Sequence, residues 1–207
     1  DLGGTKIEIA ILDANLIPKY KKRLPTESAK GAEHIIRKIS LLYEDAKESI
    51  KGASHSIGVG TPGSLCIDKG LMRNSNTLCL NGLPLKKLIE AKIQHEIYVE
   101  NDANCFALAE AVMGAGKGHS LVFGVIMGTG CGGGFVINQS IRIGPQQIAG
   151  EWGHTVINTN GPECYCGKRG CVETYISGGG LEKILRENNI YHTTAEQFFN
   201  KKTFTEK

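Results

Sequence analysis

Leu121-Val122-Phe123-Gly124-Val125-Ile126-Met127-Gly128-Thr129-Gly130-Cys131-Gly132-Gly133-Gly134-Phe135-Val136-Ile137-Asn138 is the stretch on which the fold turns. An apolar run of strand length empties into a glycine-rich turn, and an aromatic, β-branched run leaves it. Gly128, Gly130 and Gly133 fit the dinucleotide fingerprint, and Glu151 falls about twenty residues on, where an acidic residue would meet a ribose. That reading fails at the next segment. The fingerprint needs a helix straight after its loop, whereas Phe135 to Asn138 reads as a strand. What is left is a turn between strands whose backbone N–H groups and Thr129 hydroxyl can hold phosphate oxygens without side-chain bulk. Gly3-Gly4-Thr5 offers the same chemistry near the start of the chain, with Lys6 as an added cation. Two such turns in successive units predict a duplicated α/β fold that grips a polyphosphate.

The rest of the pattern agrees with alternating strand and helix. Lys6 to Asp13 alternates as a strand, Ala14-Asn15 turns, and Leu16 to Leu24 returns. Ile35, Ile36, Ile39, Leu42, Tyr43, Ala46 and Ile50 recur at helical spacing. Ser56 to Gly60 is a short strand ending in the turn Thr61-Pro62-Gly63, and a helix runs through Leu85, Leu88, Ile89 and Ile93. The strand Ile97-Tyr98-Val99 delivers Glu100-Asn101-Asp102, and a helix spans Ala103 to Met113. Gly114 to Gly118 reads as a hinge, which divides the chain into lobes 1–115 and 116–207. A helix starts near Glu173, and Thr194-Ala195-Glu196-Gln197 has the form of a capping box opening another. The first glycine turn has no strand before it, and the last helix has barely begun at Lys207, so the reading is of a fragment cut at both ends.

Cys164-Tyr165-Cys166-Gly167-Lys168-Arg169-Gly170-Cys171, with His154 upstream, carries three thiols and an imidazole at the spacing of a closed tetrahedral zinc site. Gly167 and Gly170 let the loop turn sharply enough to bring the sulfurs to one ion. Four protein ligands leave no open position for water, so zinc is expected to be structural and not to do chemistry. Fixing His154 and Cys171 also fixes Glu151 and Glu173, and the knot reads as scaffolding for a polar pocket able to receive sugar hydroxyls. Asn101-Asp102, at a strand's end before a helix, reads equally as a helix cap or as a general base at the mouth of an α/β crevice.

Composition sets modest bounds. The 207 residues are 22% charged and 41% hydrophobic with a formal net charge of +3, an ordinary globular balance that gives no argument for nucleic acid or a membrane. The basic run Lys19 to Arg23 reads as a solvated strand face. Cys66, Cys79, Cys105 and Cys131 show no framework spacing, which with the zinc-type thiols predicts a reducing, cytoplasmic setting. No apolar run reaches membrane-spanning length and no signal peptide is visible. His34, His55, His95, His119 and His192 lack metal-like spacing and read as surface or helix residues.

Asp1-Leu2-Gly3-Gly4-Thr5-Lys6, Gly60-Thr61-Pro62-Gly63, Glu100-Asn101-Asp102-Ala103-Asn104, Gly128-Thr129-Gly130-Cys131-Gly132 and Gly150-Glu151-Trp152-Gly153-His154 through Glu173 resemble, in order, the motifs of the ROK family of sugar kinases and repressors. The resemblance implies an actin-like ATPase (ribonuclease H-like) fold, with two lobes closing on a sugar and ATP-dependent phosphorylation of a hexose hydroxyl. It implies Asp102 as catalytic base, and Asn101, Glu151, His154 and Glu173 as sugar ligands. His154 would hold zinc through one ring nitrogen and sugar through the other, Asp1 would approach Mg²⁺, and the two glycine turns would cradle phosphates. Asn74 to Thr77, Leu80-Asn81-Gly82 and Cys131 look most like the fructokinase and mannokinase branch, which adds Asn76 and Asn81 to the sugar set. Glucokinase, N-acetylhexosamine kinase and a sugar-sensing repressor of the same family are the alternatives. The expected partners are a hexose and ATP, with dimerisation left open.

Overall fold

The computed structural model describes residues 1–66, 68–188 and Thr194. The capping box begun at Thr194, His192 and the last helix of the sequence reading lie outside the described residues, Thr194 itself excepted. Two compact units divide between Cys105 and Phe106.

In the first unit, β1 (Lys6–Leu12) and β2 (Pro18–Pro25) form an antiparallel ribbon. The basic residues of β2 find partners on both faces: Lys21 and Arg23 meet Glu8, while Tyr20 and Lys22 meet Asp45 of α1 (Ala32–Ile50). A lysine-rich edge of this kind also discourages pairing with another chain. β3 (Gly58–Thr61) runs parallel to β6 (Tyr98–Asn101), with a small hairpin of β4 (Ser64–Leu65) and β5 (Met72–Arg73) and the helix α2 (Leu85–Ile93) between them in sequence. Asp1 and Leu2 join the two ribbons. Leu2 bridges Ile7 and donates to the Gly60 carbonyl at 2.8 Å, and Glu8 N–H donates to the Asp1 carbonyl at 2.9 Å. One apolar core results, built from Leu2 and Ile7, Ile35 and Leu42 of α1, Leu85, Ile89 and Ile93 of α2, and Ile97.

The second unit is a three-stranded antiparallel meander of β7 (Leu121–Met127), β8 (Cys131–Ile137) and β9 (Ser140–Arg142). The helix α3 (Asp102–Met113) contains the division between the units. Its Ala107 and Ala111 pack on Val136, and a Cβ on Gly124 would stand 2.7 Å from that of Ala107. This small-residue seam is why the break falls at residue 105, inside a helix, and not in the Gly114–Gly118 segment where the sequence reading placed it. That segment is instead closed by Glu110, whose carboxylate accepts from Ala115 N–H and whose carbonyl accepts from Gly116 N–H.

β8 begins at Cys131, four residues before the strand read from sequence, so Gly132 to Gly134 are strand and not loop. Crowding explains the glycines: a Cβ on Gly150 would lie 1.8 Å from the Gly133 carbonyl, and one on Gly153 2.3 Å from that of Cys131. The helix expected near Glu173 is two helices, α4 (Glu173–Ile176) and α5 (Gly178–Glu187), with Ser177 between them capping α5 by accepting from Gly180 N–H at 2.9 Å. Among the described residues no helix is long and apolar enough to cross a membrane.

Candidate functional site

The first glycine turn is held from behind. Gly3 N–H donates to the Lys6 carbonyl at 2.9 Å, and the fully buried Thr26 clamps the turn, its hydroxyl donating to the Gly3 carbonyl and its N–H to that of Thr5. Asp1 and Lys6 are exposed beside it. Asn76 approaches this turn: a Cβ on Gly4 would stand 3.6 Å from Asn76 Oδ1. Asn81 serves the loop itself, its Oδ1 accepting from Ser75 N–H and its Nδ2 donating to the Ser75 carbonyl, both at 2.9 Å. Sequence reasoning put both asparagines at the sugar. In the structure one lies over the glycine turn and the other locks the loop that carries it.

The strand end at Asn101-Asp102 separates two jobs that the sequence left tied. Asn101 takes the cap of α3, its Oδ1 accepting from Asn104 N–H at 3.1 Å while its Nδ2 donates to the Gly63 carbonyl at 3.0 Å. Asp102 is thereby spared the capping role; its Oδ1 accepts from the adjacent Ala103 N–H at 2.8 Å. Its half-buried carboxyl has a pKa raised above the usual aspartate value by loss of solvent, which backbone hydrogen bonds partly oppose.

In the second unit His154, Cys164, Cys166 and Cys171 bring their ligand atoms within 4.8 Å of one another. Cys164 Sγ lies 3.5 Å from His154 Nδ1, and Cys166 Sγ lies 3.7 Å from Cys171 Sγ. A tetrahedron with Zn–S lengths of about 2.3 Å puts its sulfurs about 3.8 Å apart, so the donor set fits a zinc ion in chemistry and in span. Gly167 and Gly170 both have positive φ, and a Cβ on Gly170 would fall 1.6 Å from the Asn158 carbonyl. Because that obstacle is backbone, Gly170→Ala is expected to destabilise the second unit by at least ~3 kcal/mol, read by thermal denaturation.

His154 Nε2 points away from the thiols, 3.1 Å from the Tyr165 hydroxyl and 3.8 Å from Glu151 Oε2. Desolvation of its hydroxyl, then the charges of Glu173 and Glu151, raises the Tyr165 pKa, so the phenol stays protonated although the residue is largely exposed. Glu173 is 8% exposed, and its Oε2 accepts from Cys131 N–H at 2.8 Å. The carboxylate thus sits against the tip of the β7–β8 hairpin, where Gly128 N–H donates to the Gly130 carbonyl. Gly178 and Gly179, opening α5, donate to the carbonyls of Gly128 and Thr129 at 2.8 and 3.3 Å. A Cβ on Gly130 would lie 2.7 Å from Glu173 Oε2. Gly130→Ala is therefore expected to keep the fold, since a flexible side chain can yield, but to displace the carboxylate from the Cys131 N–H, read as a shift of that amide's NMR resonance.

Sequence reasoning missed Tyr165, Thr26 and the Ser177 cap with its three glycines. A serine before three glycines reads as loop, and only the apolar spacing of Leu181, Ile184 and Leu185 signals the helix beyond. Tyr165 gave no signal apart from its place between two cysteines.

The chain is 38% identical over 193 residues to an N-acetyl-D-glucosamine kinase of Pectobacterium atrosepticum, a match covering 88% of this chain and 62% of that protein. It is 36% identical over 207 residues to an N-acetylgalactosamine kinase of Shewanella sp., covering 96% of this chain and 65% of the relative. Its structure superposes with a TM-score of 0.79 and 31% identity on a ROK family glucokinase from Streptomyces griseus in complex with glucose and AMPPNP, covering 91% of this chain and 59% of that one. The chain thus spans about three-fifths of the length of these relatives, and its α/β fold is that of the ROK sugar kinases, an actin-like ATPase fold. The ROK family profile matches residues 1–206, and the chain belongs to the ROK family.

Proposed function

We propose that the protein phosphorylates a hexose hydroxyl with ATP. The observation that carries this reading is Glu173: a nearly buried carboxylate two residues from a metal-type cysteine, fixed by Cys131 N–H at the tip of the second glycine turn. One side chain thereby belongs both to a polar, sugar-type pocket and to a phosphate-type loop. Asp102 acts as general base and takes the proton of the attacking hydroxyl, for which a carboxyl freed from capping is suited. Glu151, His154 and Glu173 receive ring hydroxyls, with Asn101 supporting the base. The N–H groups of Gly3, Gly4, Thr5 and Gly128 to Gly130 hold phosphate oxygens, with Lys6 as a countercharge and Asp1 toward Mg²⁺. His154, Cys164, Cys166 and Cys171 would hold zinc, which would supply structure by fixing the segment that carries Glu151 and Glu173.

The relatives give no support to the fructose or mannose expected from Asn74 to Thr77, Leu80-Asn81-Gly82 and Cys131. Neither kinase above acts on those sugars by name, and Asn76 and Asn81 are engaged near the first glycine turn and within its neighbouring loop. An N-acetylhexosamine is the reading we favour, with glucose second on the likeness to the glucokinase. Whole protein assayed with Mg-ATP against N-acetylglucosamine, N-acetylgalactosamine, glucose, mannose and fructose tests it. An N-acetyl sugar should lead in kcat/KM by at least about tenfold, roughly 1.4 kcal/mol. Fructose or mannose leading would restore the first expectation, and no transfer to any sugar would remove the kinase reading.

A further inference from the structure

We propose that the Tyr165 hydroxyl is a stand-in for a substrate hydroxyl, held on His154 Nε2 in the sugar-free protein and displaced when sugar binds. The inference deepens the sugar-kinase reading and rests on it. His154 faces two ways. Its Nδ1 looks at Cys164 Sγ at 3.5 Å, and its Nε2 looks at Tyr165 Oη at 3.1 Å. Once Nδ1 lends its lone pair to a metal, the ring's proton resides on Nε2, so Tyr165 Oη accepts it. A sugar hydroxyl received by the same nitrogen would make the same bond, and one N–H cannot serve both well.

The surroundings of the phenol support the exchange. Glu151, a carboxylate assigned to the sugar, brings its Oε2 to 3.8 Å from the same His154 Nε2 that meets the Tyr165 hydroxyl, so the phenol shares its nitrogen with a group that would receive substrate. The two rings meet edge to face, 5.1 Å apart at 89°, a contact that orients the imidazole as well as the phenol. Yet the tyrosine is 62% exposed, so a change of χ1 rotamer carries it into solvent without opening the core. Its backbone lies between two thiol residues of the knot, where Cys164 N–H bonds the Lys168 carbonyl and Gly167 N–H that of Cys164, so the side chain returns to the same place. Tyr165 is therefore a positioning residue: it keeps His154 oriented when no sugar is present and offsets part of the affinity when one arrives.

Tyr165→Phe in the metal-loaded whole protein removes the competing oxygen and keeps the ring contact. Sugar should bind about threefold to tenfold more tightly by calorimetry, the worth of one neutral hydrogen bond, with the gain falling on KM and not on kcat. Without sugar, the His154 Nε2–H proton should exchange with water faster than in the wild type, as read from imidazole ¹H–¹⁵N spectra. Unchanged or weaker sugar affinity with unchanged metal content overturns the proposal, and weakening would make Tyr165 a direct sugar ligand. An unchanged Nε2–H exchange rate overturns it as well. A wild-type protein that binds no sugar at all removes the kinase reading and the proposal together, whereas a sugar-binding wild type with no gain in Tyr165→Phe removes the proposal alone.

Discussion

On the proposed kinase reading, Asp102→Asn is expected to lower the rate of sugar phosphorylation at least ~100-fold while sugar affinity stays within a few-fold, the range expected when a general base is lost and its shape is kept. The substitution is clean because the helix start does not depend on it: Asn101 holds the cap through Asn104 N–H and anchors to the Gly63 carbonyl. Thermal stability should therefore change little. As the proposed base, the same carboxyl is expected to set the acid limb of the pH profile. Burial raises its pKa, and the base works only when ionised, so kcat/KM falls as pH drops through a value above the usual aspartate range. Single-turnover rates of the two proteins across pH check both points. A near-normal kcat in the variant would reduce Asp102 to a bystander at the start of α3.

On the same reading, Cys166→Ser is expected to lose the metal and sugar affinity together. The wild type should carry about one zinc per chain, because the four donors close a tetrahedral shell. With one thiolate gone, His154 and the segment leading to Glu173 lose their common anchor, and sugar affinity falls ~10–100-fold, as when the shell that orients ligands is disturbed. Elemental analysis beside calorimetry decides it. Zinc-free wild-type protein that still binds sugar would refute the structural role.

Regular elements were legible where packing and periodicity coincide. The helical spacing of Ile35, Leu42 and Ala46 is the buried stripe of α1, and Leu121 to Met127 is a strand as its composition demands. Glycine was the blind spot. Gly132 to Gly134 read as loop because glycine is a poor strand former, yet they are strand because the Gly150–His154 segment presses on them, with Trp152 Nε1 donating to the Gly132 carbonyl at 2.7 Å. Gly178 to Gly180 hid the start of α5 for a related reason: they pack against the hairpin tip and the preceding helix. The metal-type cluster was readable because short loops force its residues together. The asparagines were not, since the target of an amide depends on the path of a loop that local sequence does not set. Asn81 turned to Ser75, and Asn101, not Asp102, took the cap.

Glu173 has its backbone beside the cysteine knot and its carboxylate on the N–H of Cys131. A ligand that moves the hairpin tip must move this carboxylate, and a ligand that grips the carboxylate must stiffen the tip. With nucleotide at the tip and sugar on the carboxylate, as proposed, thermodynamic reciprocity would require that the two alter each other's affinity by one and the same factor. Occupancy of one partner would be reported to the other through a single hydrogen bond 2.8 Å long.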